Sequence, residues 1–175
     1  DDTDESGRVK FPDGDRIVKS HSVNNFVDKI IEIKPDFIFV AGWSELLSND
    51  IINASKHGTY GFHPSKLPSD RGRSVLAWQI EDGYSQTALT LFKYSDYPDG
   101  GDIAAQEIIR IEFNDYISDV LSKIDIATEN IMKAYFPLIR KGLAQEKQQD
   151  LSVGNFRRLR NNKDSLINWD TNSVV

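Results

Sequence analysis

Phe37-Ile38-Phe39-Val40-Ala41-Gly42 is the stretch on which the fold turns. An unbroken apolar run of this length, without alternating polar side chains, is the mark of a strand covered on both faces, as in a parallel sheet. Gly42 ends it by turning the chain toward Trp43. Upstream, Ser22 caps a predicted helix in which Val23, Phe26, Val27, Ile30 and Ile31 recur at helical spacing, and Lys34-Pro35 stops it. Downstream, a short helical stretch over 50–57 leads into a second short strand, Thr59-Tyr60-Gly61-Phe62. Helix, buried strand, helix, strand is the order that builds an α/β sheet, and ligands of such sheets sit in loops at the carboxyl ends of the strands.

The second strand runs straight into residues 63–73, a segment too rich in Pro, Gly and polar side chains for regular structure. A helix follows from Ser74, predicted to bury Val75, Leu76, Trp78 and Ile80 and to end before Gly83. Residues 87–94 and 103–112 read as two more strands joined by an acidic turn, Ser95 to Asp102. Asn114 is the expected cap of the longest helix, with an apolar stripe that includes Ile117, Val120, Leu121, Ala127 and Ile131, and Gly142 is its stop. The chain divides into an acidic, flexible start over 1–20, a core over 21–143, and an extension over 144–175 that is first basic, with Arg157, Arg158 and Arg160, and then polar.

Composition narrows the chemistry. The 175 residues are 39% hydrophobic and 27% charged, a globular balance that fills one core. The formal net charge of -6 argues against a broad nucleic-acid-binding surface. No run of about 18 apolar residues occurs, and the chain begins with acidic residues rather than a basic signal-peptide start, so the reading is a soluble, cytoplasmic protein with no membrane partner. There is no Cys, which removes disulfides and thiolate chemistry, and the three His (His21, His57, His63) are too scattered for a metal site. His63 opens one polar loop and Asp99 sits in the other, 36 residues on. An imidazole takes up a proton near neutral pH, and a carboxylate beside it fixes its orientation; equally, a His at a strand end is commonly structural and an Asp-Gly turn commonly just a turn.

Taken together, the words are more specific. Gly61-Phe62-His63-Pro64-Ser65-Lys66-Leu67-Pro68-Ser69-Asp70-Arg71-Gly72-Arg73, a Trp-bearing helix, Thr87 to Phe92, and Asp99-Gly100-Gly101-Asp102-Ile103-Ala104-Ala105-Gln106 resemble the formyltransferases that use 10-formyltetrahydrofolate. That family includes methionyl-tRNA formyltransferase, glycinamide ribonucleotide formyltransferase and the sugar N-formyltransferases of surface-polysaccharide pathways. The resemblance spans roughly 34–142. It implies a Rossmann-like formyltransferase fold, α/β with a mostly parallel sheet flanked by helices, here lacking the usual N-terminal strand.

By matched position, the resemblance makes His63 and Asp99 the catalytic pair. It implies a pterin slot at Gly42, Trp43, Leu46 and Leu47, met by Asp96 and Pro98 of the acidic turn; without it, Trp43, Leu46 and Leu47 read equally well as core packing. Ser65, Arg71 and Arg73 become substrate contacts, the two Arg facing a phosphate near the helix after Ser74, or Arg71 simply bracing its loop. The activity implied is formyl transfer from 10-formyltetrahydrofolate to the amine of a nucleotide-linked amino sugar, in lipopolysaccharide biosynthesis, by a cytoplasmic enzyme. Homodimers are common in that branch, and the long helix or the strand edge could supply the interface.

One departure bears on activity. The family has an Asn two residues before the His, as an oxyanion donor, where this chain has Gly61. Ser65, Asn53, a backbone amide or a water fills the gap, or turnover is weakened. The alternatives are therefore a truncated methionyl-tRNA formyltransferase, supported by Arg157, Arg158 and Arg160, and a catalytically silent folate-binding domain, supported by Gly61.

Overall fold

A computed structural model describes residues 20–166 of the chain. The Ser22 hydroxyl accepts from the backbone N–H of Asn24 and starts a single 3-10 turn, which continues as α1 (Val27–Ile33). Lys34, in the left-handed conformation, ends it. Then follow β1 (Ile38–Val40), α2 (Asn49–Ile52), β2 (Thr59–His63), β3 (Arg71–Gly72), α3 (Val75–Glu81), β4 (Gln86–Lys93), β5 (Ile103–Arg110), α4 (Ile117–Arg140) and β6 (Phe156–Arg157).

The main sheet has the order β1-β2-β4-β5. β1 and β2 run parallel, with Ile38 opposite Thr59 and Val40 opposite Gly61, so both strands end at the same edge of the sheet. β2 against β4 and β4 against β5 are antiparallel. The described sheet is therefore mixed rather than mostly parallel. Residues 94–102, which join β4 to β5, are too few for the crossover that a parallel neighbour needs. β1 is half-buried instead of covered on both faces, because it stands at the end of the strand order with no outer neighbour among the described residues.

Alternation assigns the two faces. Tyr60 of β2, with Leu89 and Leu91 of β4 and Ala105 and Ile109 of β5, packs against Ala127, Ile131 and Ile139 of α4. Each fully buried Leu or Ile there contributes about 1.5–3 kcal/mol. On the opposite face Thr59, Gly61 and His63 stand across from Tyr94, Phe92 and Thr90, because residues directly opposite in an antiparallel pair share a side.

Two helix expectations shift. α4 begins at Ile117, not behind an Asn114 cap: the Asp119 carboxylate accepts from the backbone N–H of Tyr116, while Asp115 accepts from that of Glu112. Its buried stripe is narrower than the apolar pattern, since Ile117 and Leu121 are exposed. In α3 it is Gln79, not Ile80, that is buried, for a reason that lies in the loop beneath it.

Candidate active site

His63 is the last residue of β2, and its side chain is buried under the loop that follows. Its Nε2 lies 2.8 Å from the backbone oxygen of Asp70. A carbonyl only accepts, so Nε2 carries the ring proton and Nδ1 presents its lone pair. That nitrogen lies 3.6 Å from Asp99 Oδ1, too far for a hydrogen bond and close enough for a direct charge interaction once the ring is protonated. The imidazole and the carboxylate, remote in the chain, thus face each other across one gap.

Asp99 is held from several sides. It adopts the left-handed conformation, which the tight turn demands. Its Oδ2 accepts from the backbone N–H of Gly72 at 2.8 Å. The amide of the buried Gln149 donates to the carbonyls of both Asp99 (2.9 Å) and Gly101 (2.6 Å). Gly101 packs so closely on the end of β4 that a Cβ there would lie 1.7 Å from the Lys93 carbonyl oxygen. The turn therefore folds back over the sheet face and delivers Asp99 to His63.

The His63 loop has an equally firm anchor in Asp70, a residue to which sequence reading gave no role. Its buried carboxylate accepts from Gln79 Nε2 (3.0 Å), Asn155 Nδ2 (2.7 Å) and Arg157 Nε (2.7 Å). Burial pushes its pKa up, but the hydrogen bonds from Gln79, Arg157 and Asn155 outweigh that, and it lies below the ordinary carboxylate value. Gln79 is buried in α3 because it serves this carboxylate. The Arg157 guanidinium, bonded to Asp70 and Asp82, is held well above its ordinary value. β6 pairs with β3 in parallel, so residues of the extension close over the loop that carries Asp70 and Gly72.

The remaining expected residues divide. Ser65 is turned into its own loop: its hydroxyl donates to the Ser69 carbonyl (2.7 Å), and its carbonyl accepts from Thr90 Oγ1 (2.6 Å). Arg71 is buried, with Nη2 donating to the carbonyl of Val153 at 3.2 Å and the guanidinium 5.6 Å from the Tyr97 ring centre, an arrangement that braces the loop. Arg73 is exposed ahead of α3, a helix of only seven residues. Trp43 and Leu46 are exposed, Leu47 is half-buried, and nothing lies within 4 Å of a Cβ built on Gly42. The Glu45 carboxylate accepts from the Ser22 hydroxyl (2.5 Å) and the Asn24 amide (3.0 Å), which fixes the backbone between those apolar groups. Asp96 and Pro98 are exposed on the turn. Asn53 is exposed at the end of α2.

The basic stretch is tied up in ion pairs: Arg157 with Asp70 and Asp82, Arg158 with Asp164, Arg160 with Glu81. Arg158 and Arg160 also lie over the Trp78 ring, 4.9 and 4.5 Å from its centre. Asp164-Ser165-Leu166-Ile167-Asn168-Trp169, whose sequence weakly resembles the start of the segment that follows the family's catalytic domain, extends beyond the described residues. Two clefts, of about 420 Å³ beside Asp70, Gln79 and Tyr84 and about 560 Å³ beside Ile80, Ile117 and Arg160, open outside the His63–Asp99 gap. Among the described residues no three potential metal ligands converge, and no helix is long and apolar enough to cross a membrane.

The formyl transferase family matches residues 11–135, more than half the chain and a span that holds both His63 and Asp99. The chain belongs to the formyl transferase family. Among solved structures, this formyl transferase chain is similar to PseJ from Anoxybacillus kamchatkensis, a formyltransferase in complex with UDP-4,6-dideoxy-4-formamido-L-AltNAc and tetrahydrofolate: 25% identity, TM-score 0.65, over 86% of this chain and 75% of that one. A candidate sugar N-formyltransferase from Mycobacterium tuberculosis is 24% identical, with a TM-score of 0.66 over 81% of this chain. HypX from Aquifex aeolicus shares the fold at 19% identity, with a TM-score of 0.76 over 87% of this chain. The chain spans 58% of the mycobacterial protein and 27% of HypX.

Proposed function

We propose that this formyl transferase moves a formyl group from 10-formyltetrahydrofolate, a co-substrate consumed in each turnover, to the amine of a nucleotide-linked amino sugar. The observation that carries the proposal is the convergence of His63 Nδ1 and Asp99 Oδ1, both without a hydrogen bond among the described residues, in a chain of this family. The similarity to PseJ, whose structure contains a formamido sugar nucleotide and tetrahydrofolate, supports the acceptor class. The residues present fit the donor: the exposed, apolar Trp43 and Leu46, on a backbone pinned through Glu45, offer a stacking surface at the carboxyl end of β1 for a flat heteroaromatic ring.

The chemistry follows from proton accounting. A bond forms between the amine nitrogen and the formyl carbon, and the bond from that carbon to N10 breaks. The amine attacks well only as it loses a proton. His63 Nδ1 takes up that proton, Asp99 stabilises the imidazolium at 3.6 Å, and the proton ends on N10, so the transfer is balanced with no further reactant. Through its bond to the Asp70 carbonyl, Nε2–H keeps the ring in the orientation this requires. The Arg157, Arg158 and Arg160 stretch, already engaged in ion pairs, leaves the tRNA reading without its support.

The test is to incubate the protein with 10-formyltetrahydrofolate and a panel of nucleotide-linked amino sugars, and to look by mass spectrometry for a product heavier by one formyl group. Formylation of at least one sugar amine is the expected result. No product with any amino sugar, with tetrahydrofolate still bound, would overturn the proposal in favour of a silent folate-binding domain.

A further inference from the structure

Negative charge gathers on the formyl oxygen as the amine attacks, and a preorganised donor must meet it. The hydroxyls on the His63 face of the sheet and in the loop that follows it are almost all committed elsewhere. Thr59 donates to the Ile52 carbonyl at 2.8 Å, Thr90 to the Ser65 carbonyl at 2.6 Å, and Ser65 to the Ser69 carbonyl at 2.7 Å. Tyr94 is the exception: among the described residues its hydroxyl makes no hydrogen bond.

Its position is specific. A Cβ built on Gly61 would lie 2.3 Å from Tyr94 Cε2 and 3.2 Å from the Tyr94 hydroxyl oxygen. The phenol ring thus fills the space that a side chain at position 61, two residues before His63, would occupy. The ring is stacked on Phe92, with centres 5.1 Å apart, and its backbone N–H donates to the Thr59 carbonyl at 2.7 Å, so the hydroxyl is aimed by both packing and the sheet. Burial, then the charge of nearby Asp99, pushes the phenol up to about 12. It therefore stays protonated, and a donor, at any pH the reaction uses.

We infer that Tyr94 is a catalytic residue of this chain, its O–H donating to the formyl oxygen in the transition state in the place left open by Gly61. The inference rests on the proposed formyl transfer. No proton moves from Tyr94; it contributes a hydrogen bond only.

The experiment compares the wild-type protein with Tyr94→Phe in the same formylation assay, using whichever amino-sugar nucleotide the wild type accepts. Tyr94→Phe keeps the ring and removes only the donor. The expected result is a kcat lower by about 100- to 1000-fold, with KM for 10-formyltetrahydrofolate and the melting temperature unchanged. Gly61→Asn alone should clash with the ring and lower the melting temperature, whereas Gly61→Asn with Tyr94→Ala has room for a new donor and should recover part of the Tyr94→Phe loss. A Tyr94→Phe protein with wild-type kcat, or with a raised KM alone, overturns the role of Tyr94 and leaves formyl transfer standing. A wild type that formylates nothing brings down both.

Discussion

Replacing Asp70 tests how the site is held together. Asp70→Ala removes a buried carboxylate that accepts three hydrogen bonds, and it deprives the Arg157 guanidinium of its buried partner. Removing one partner of a buried ion pair costs about 3–5 kcal/mol. Arg157 keeps Asp82 and some solvent, which draws the value toward the lower end. Alanine must also adopt the left-handed backbone that Asp70 has at φ 52, which adds about 1 kcal/mol. The sum is about 4 kcal/mol. Asp70→Asn is the control: Asn tolerates that backbone, its Oδ1 can accept from Arg157, and Gln79 can turn its buried, unpartnered Oε1 toward the new amide, leaving a loss of about 1–2 kcal/mol for the missing charge.

Urea unfolding followed by Trp fluorescence measures both variants. The pH dependence has a definite sign. Asp70 has a lowered pKa when folded, so its stabilisation is fully present above its ordinary value near 3.8 and is lost as pH falls through the folded value. The gap between wild type and Asp70→Asn should therefore close in acid. An Asp70→Ala protein within about 1 kcal/mol of wild type at neutral pH would refute the anchor.

Three further outcomes follow from the same contacts. Gly101→Ala forces a methyl group into the Lys93 carbonyl and should drop the melting temperature sharply or prevent soluble expression; a normal melting curve would contradict the turn geometry. Gln149→Leu removes both hydrogen bonds that hold the Asp99 turn and should cost about 1–3 kcal/mol in urea unfolding together with a reduced kcat. Because Arg157, Arg158 and Arg160 are committed to ion pairs, acceptor affinity measured by calorimetry should change by less than about tenfold between 50 and 200 mM salt, whereas a polyanion-binding surface would lose far more.

Much of the fold was legible because local signals agreed with it. The Ser22 start and the Lys34 stop came from capping and breaker chemistry, and β2, β4 and β5 came from apolar runs bounded by turns. Strand direction was not legible, since an apolar run looks the same in either orientation and only the connection length betrays the β4–β5 hairpin. His63 and Asp99 were legible from the two loop motifs. Asp70, Gln149, Asn155 and Arg157 were not, because, apart from the Asp70–Gln79 contact, their side-chain partners lie 48–87 residues away and no local pattern records such pairing. Tyr94 was hidden differently: Gly61 reads as a missing side chain until the sheet register brings a phenol from the next strand into its place.

Asp99→Asn in the formylation assay tests the His63–Asp99 pair most directly. The amide oxygen can still accept from Gly72 N–H, so the turn survives, but the charge facing His63 is gone. A catalytic role for this pair requires a kcat lower by about 100- to 10,000-fold with the melting temperature and donor binding unchanged. A variant that turns over like the wild type, or a His63→Asn protein that does, would contradict it.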